Sequence, residues 1–121
     1  QLQQVFLNIL NNAYDAVHAT GRPGLIEIET LQDGAWIEVL FRDNGEGIRQ
    51  PERIFDPFFT TKEVGQGTGL GLSICYGIVR EHEGEILCAN NQDTPGATFS
   101  VRLPVRSKAD LKVMTAAGAR Q

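Results

Sequence analysis

The 121-residue chain has no Gly-Lys-Ser/Thr triplet, no Cys-x-x-Cys pair and no apolar run long enough to cross a membrane. The first absence excludes a P-loop. The glycines also fail to space as G-x-G-x-x-G, and Phe58-Phe59-Thr60-Thr61-Lys62 is a poor strand to lead into a dinucleotide fingerprint. Cys75 and Cys88 lack metal or redox spacing and read as two reduced, packed thiols of a cytoplasmic domain. Basic residues are scarce, with 11 Lys and Arg against 15 Asp and Glu and a net charge of −4. That balance argues against a nucleic-acid partner, which needs a basic face, but not against a single nucleotide, for which a few local donors suffice. There is no internal repeat, no signal peptide and no initiator Met. The chain opens on Gln1 inside a helical pattern and is expected to be a piece of a longer protein.

What is present is an ordinary globular composition, 41% hydrophobic, of a length that makes one domain with a real core. Leu2, Val5, Phe6, Ile9, Leu10, Ala13 and Val17 recur at helical spacing, which predicts a helix over 2–19 stopped by Gly21 and Pro23. Residues 25–31 and 35–42 alternate around an Asp33-Gly34 hairpin signal. A long connection over 44–68, with a helical turn near Pro51–Phe55, has the length of a functional lid. A second helix is predicted over 69–83, with Thr68 as N-cap and Gly84 as its stop, then a closing hairpin over 85–90 and 97–105. Residues 106–121 show no clear pattern and are expected to be a tail or linker. Two amphipathic helices with these hairpins predict a two-layer α/β sandwich, its sheet mixed but mostly antiparallel and its helices on one face.

Three segments carry polar groups suited to chemistry. Gly65-Gln66-Gly67-Thr68-Gly69-Leu70-Gly71-Leu72 lets backbone approach a ligand and then starts a helix, whose unpaired N–H groups suit phosphate; the same glycines also fit a flexible linker. Asp43-Asn44-Gly45-Glu46-Gly47 places a carboxylate at a strand end, able to accept from an exocyclic amine, with glycines that admit a flat base; it also fits a surface turn. Asn8, Asn12 and Asp15 line up at i, i+4 and i+7 on one helix face. Mid-helix asparagines cost helix propensity, and amide oxygens can ligate Mg²⁺, although a solvated polar face has the same pattern.

In this order the segments resemble the Bergerat ATP-binding fold of sensor histidine kinases. Gln4-Val5-Phe6-Leu7-Asn8-Ile9-Leu10-Asn11-Asn12-Ala13 resembles the N box, and Asp43–Gly47 the first glycine box. Phe55-Asp56-Pro57-Phe58-Phe59-Thr60-Thr61-Lys62 resembles the F box, Gly65–Leu72 the second glycine box, and Gly96-Ala97-Thr98-Phe99 the short glycine element of the last hairpin. The resemblance spans residues 1–105 and is greatest to the nitrogen-regulatory branch. It implies a catalytic domain that binds ATP and Mg²⁺ under a long lid.

Carried over by position, the resemblance implies that Asn8 holds Mg²⁺, that Asn12 contacts phosphate or the metal's shell, and that Asp15 meets the ribose or phosphate region. Asp43 would bind the adenine amino group, Gly45 and Gly47 would shape the base pocket, and Thr98 would sit near adenine. Gly67, Thr68, Gly69 and Gly71 would cradle phosphates, with Leu70 packing the helix start. Lys62 would reach a phosphate when the lid closes, and Arg53 is a weaker candidate. The phosphorylated histidine would lie on a dimerisation domain outside this chain, with a response regulator downstream and a homodimer in the full-length protein, while this piece alone would be monomeric. His18 and His82 read as solvated helix-end residues. A glutamate stands at the position of Asn8 in related ATPases, and an amide cannot act as a base, which implies transfer to a protein acceptor over hydrolysis. A docking module using Phe58 and Phe59 is the rival reading. The chain is expected to lack the short strand that commonly precedes the N box, which bears on the integrity of one sheet edge.

Overall fold

The computed structural model describes residues 1–59 and 71–105. Helix α1 (Leu2–His18) buries Val5, Ile9, Ala13 and Val17, one residue per turn, so a single stripe faces the core. Strands β1 (Ile26–Asp33) and β2 (Trp36–Asp43) form a hairpin whose turn is Gly34–Ala35, with Asp33 paired to Trp36. The turn therefore lies one residue later than the Asp33-Gly34 signal implied. After a 3₁₀ turn at Pro51–Arg53 come helix α2 (Gly71–Glu81) and a second hairpin, β3 (Glu85–Asn90) and β4 (Ala97–Pro104). The strand order is β1-β2-β4-β3. All three pairings are antiparallel, so no parallel neighbour is found among the described residues.

Register builds the core. Phe41 lies opposite Phe99 and Val39 opposite Val101, while Ile86 and Cys88 flank the same two β4 residues from the other side. Onto this face pack Val5 and Ile9 of α1 and Cys75, Ile78 and Val79 of α2. Val5, Ile9, Val79 and Val101 are fully buried, each stabilising the fold by about 1.5–3 kcal/mol. Phe55 reaches in from the connection, its ring 6.4 Å from Phe99 and 5.9 Å from Tyr76. The opposite sheet face is wetter; there Arg102 lies over the Trp36 ring at 4.9 Å. Ile28, directly across from Phe41 on the inner face of the edge strand β1, is 54% exposed. No helix among the described residues is long and apolar enough to cross a membrane.

The end of α2 departs from expectation. Glu83, not Gly84, takes the left-handed conformation, at φ +59°. The Glu83 N–H then bonds the Arg80 carbonyl and the Gly84 N–H bonds the Val79 carbonyl, both at 2.9 Å, closing the helix with a Schellman pair. His82 turns its ring back to the Ile78 carbonyl at 2.9 Å, so its Nδ1 carries a proton, and His18 stacks on Tyr14 at 5.7 Å.

Candidate functional site

The end of β2 delivers Asp43 into the interior, where it is 4% exposed. Its Oδ1 accepts the Gly45 N–H at 2.8 Å and the Ala97 N–H at 3.3 Å. The carboxylate thus folds its own turn and fastens β4, and Oδ2 is the oxygen that can accept from a ligand. Gly96, at φ +103°, lies against this corner so tightly that any Cβ would strike the Asp43 carbonyl. At Gly45 a Cβ would come within 2.6 Å of the Ala16 backbone, which brings the turn against α1. The Glu46 N–H bonds the Ala16 carbonyl at 3.3 Å across the same contact.

Four side chains that sequence reasoning did not single out hold this turn. Asn44 accepts the Leu25 N–H at 2.9 Å through Oδ1 and donates to the Pro23 carbonyl at 3.2 Å. Arg22 donates to the carbonyls of Asn44 at 2.7 Å and Gly45 at 3.3 Å. Beyond Gly47, Asn90 pins the chain by accepting the Ile48 N–H at 2.7 Å and donating to the Ile48 carbonyl at 2.9 Å. Asn91 donates to the carbonyls of Asp43 at 3.0 Å and Pro95 at 3.1 Å. Apart from the Asn91–Pro95 bond, these partnerships join residues at least 19 positions apart, and nothing local in the sequence announces them.

Thr98 is not beside Asp43. Register pairs it with Arg42, on the face opposite the core, where its hydroxyl donates to Asn91 Oδ1 at 2.6 Å. The inner position next to Asp43 belongs to Ala97, which is buried. The alternation of Ala97, Phe99, Val101 and Leu103 already contained this signal, because it groups Thr98 with Ser100 and Arg102.

On α1 the two asparagines are tied by their nitrogens. Asn8 donates Nδ2 to Cys75 Sγ at 3.5 Å, and Asn12 donates Nδ2 to the Asn8 carbonyl at 2.8 Å. Each amide therefore turns its oxygen away from its protein partner. Asp15 follows one turn on, exposed at the surface. Two amide oxygens in one row fit a hard divalent cation that shares its shell with phosphate and water. No group of three or more His, Cys, Asp or Glu suited to a metal occurs among the described residues, so such a cation would depend on amide oxygens and on its ligand's own oxygens.

Gly71 begins α2 and Cys75 is one turn further on, so the early part of α2 meets α1 at Asn8. Lys62, Gly67, Thr68, Gly69 and Leu70 lie outside the described residues. Arg53 sits 4.8 Å over the half-buried Phe59 ring and 3.5 Å from Asp56, with both charged side chains exposed. Both cysteines are free thiols. Burial raises the Cys75 pKa, partly offset by the Asn8 hydrogen bond, and burial pushes Cys88 up to about 11.

A family model described as histidine kinase-, DNA gyrase B-, and HSP90-like ATPase matches residues 1–107. The chain belongs to this ATPase family. Among its relatives, the two-component sensor PprA of Pseudomonas aeruginosa is 45% identical over 118 residues, covering 91% of the chain and 12% of PprA. Among solved structures, the catalytic domain of histidine kinase ThkA is 38% identical with a TM-score of 0.70, covering 85% of the chain and 66% of that structure. ThkA in complex with the response regulator TrrA matches at 34% identity and a TM-score of 0.68, covering 88% of the chain and 29% of that structure. The chain therefore spans about an eighth of the length of PprA and is the ATPase-family domain that such sensor histidine kinases carry.

Proposed function

We propose that this domain binds ATP with Mg²⁺ and positions it for phosphoryl transfer to a histidine on a separate dimerisation domain of the same protein. The observation that carries this reading is Asp43, a buried carboxylate whose Oδ1 is held by two backbone N–H groups at a corner walled by glycine. A carboxylate so held presents Oδ2 as a fixed acceptor for the amino group of adenine, and its geometry costs nothing further on binding. Gly45 and Gly47 keep side chains away from the base. Asn8 and Asn12 hold out amide oxygens toward the cation, with Asp15 at the ribose or phosphate end. By the resemblance, Gly67, Thr68, Gly69 and Gly71 would cradle phosphate with backbone N–H groups, Leu70 would pack the helix start, and Lys62 would add a cation. Mg²⁺ would be held by Asn8 and would supply charge neutralisation on the phosphates.

Asn8 also separates transfer from hydrolysis, because an amide cannot take a proton from water. The full-length protein would act as a homodimer that hands phosphate on to a response regulator, and this piece alone would be a monomer. Calorimetry with ADP and Mg²⁺ tests the binding step. A folded chain that does not bind nucleotide overturns the reading. Phosphorylation of a separately supplied histidine domain tests the transfer step.

A further inference from the structure

Asn8 and Cys75 are 67 positions apart and meet where α1 crosses α2. Cys75 is fully buried, and its Sγ lies 3.8 Å from the Val5 carbonyl as well as 3.5 Å from Asn8 Nδ2. Proton accounting orders this chain of groups. A carbonyl only accepts, so the thiol hydrogen goes to Val5. The sulfur is then the acceptor for the Asn8 amide, which must turn its nitrogen inward and its oxygen outward. An unanchored amide would exchange its two ends freely, and only one end can ligate a cation. We infer that Cys75 is a positioning residue: its sulfur fixes the Asn8 amide in the orientation that offers Oδ1 to the divalent cation of a bound nucleotide. This rests on the reading of Asn8 as a cation ligand. The thiol suits the place because it packs as a small apolar group while still accepting a weak hydrogen bond.

The test is calorimetric, on the full 121-residue chain, with ADP measured in the presence and absence of Mg²⁺. The readout is the factor by which Mg²⁺ tightens ADP binding. Cys75→Val fills the space without an acceptor and is expected to lower that factor about tenfold while leaving Mg²⁺-free ADP affinity within about twofold, as orienting partners of metal ligands do. Cys75→Ser keeps a donor and an acceptor and is expected to restore the factor. Asn8→Ala is expected to abolish it, and Cys75→Val added to Asn8→Ala to change nothing more. If Cys75→Val loses ADP affinity equally with and without Mg²⁺, the residue only packs and the proposal is overturned. If Asn8→Ala retains the full Mg²⁺ factor, the cation-ligand reading itself fails, an outcome distinct from the first. Should the valine variant not fold, Cys75→Ala carries the same expectation, and an unchanged Mg²⁺ factor in it overturns the proposal.

Discussion

Asp43 Oδ1 accepts the Ala97 N–H at 3.3 Å, so the residue proposed to read the base also fastens the first residue of β4. Its substitutions should therefore separate binding from folding. Asp43→Ala strands two buried N–H groups, those of Gly45 and Ala97, and is expected to cost roughly 2–4 kcal/mol of stability along with nucleotide affinity. Asp43→Asn keeps an acceptor for both N–H groups but offers a donor where the carboxylate could accept. It is expected to stay within about 1 kcal/mol of the parent in urea unfolding and to weaken ADP binding roughly a hundredfold by calorimetry. An asparagine variant that binds ADP normally would remove Asp43 from the base site.

Gly96→Ala is expected to be among the most damaging single-methyl changes in the chain. Its φ of +103° is hostile to any side chain, and the added carbon would meet the Asp43 carbonyl. Strain and displacement together should cost at least about 2 kcal/mol in denaturant unfolding. Gly71→Ala, where an added Cβ meets nothing within 4 Å among the described residues, serves as the control and should leave stability nearly unchanged. Equal midpoints for the two variants would show that the corner is looser than its geometry indicates.

The two helices, both hairpins and the short turn at Pro51–Arg53 were legible because each rests on local periodicity or turn chemistry. The candidate nucleotide corner was legible only in part. Asp43 and its glycines announce themselves as a carboxylate and flexible neighbours in one run. The resemblance assigns Thr98 to the neighbourhood of adenine, while strand parity turns its side chain to the face opposite the core, where it bonds Asn91. Glu83 takes the left-handed conformation one residue before Gly84 because α2 ends at Glu81, two residues short of the expected 83. Asn90, Asn91 and Cys75 had no signal at all, since their partners Ile48, Asp43 and Asn8 are between 42 and 67 positions away.

Alkaline stability should report on Cys88. Its pKa is about 11 in the folded chain against 9.0 for the ordinary thiol, because burial disfavours the thiolate. Above pH 9 the unfolded thiol sheds its proton while the folded one keeps it, so the unfolded state binds fewer protons and stability falls as pH rises. The contribution is complete below pH 9 and is lost as pH climbs to about 11. Urea midpoints measured from pH 8 to 10.5 should decline, and Cys88→Ala should flatten part of that decline. Identical pH slopes in both chains would contradict the assignment.

Asn90 grips Ile48 by both backbone groups, at 2.7 and 2.9 Å, as a paired strand residue would. Asn90 itself is exposed, so Asn90→Ala buries no unsatisfied group and should cost less than about 1 kcal/mol globally. The cost should instead be local. With the clamp gone, residues 46–50 lose their tie to β3, and amide hydrogen exchange of Ile48 should quicken by about tenfold while Val101 in the core is unaffected. Nucleotide affinity should fall severalfold, because the loop after Gly47 would have to be ordered on binding. Asn90→Asp retains the acceptor for the Ile48 N–H and should recover roughly half of the protection. If Ile48 exchanges at the parent rate in Asn90→Ala, the two hydrogen bonds do not hold the loop, and the turn must be held by Asn44 and Arg22.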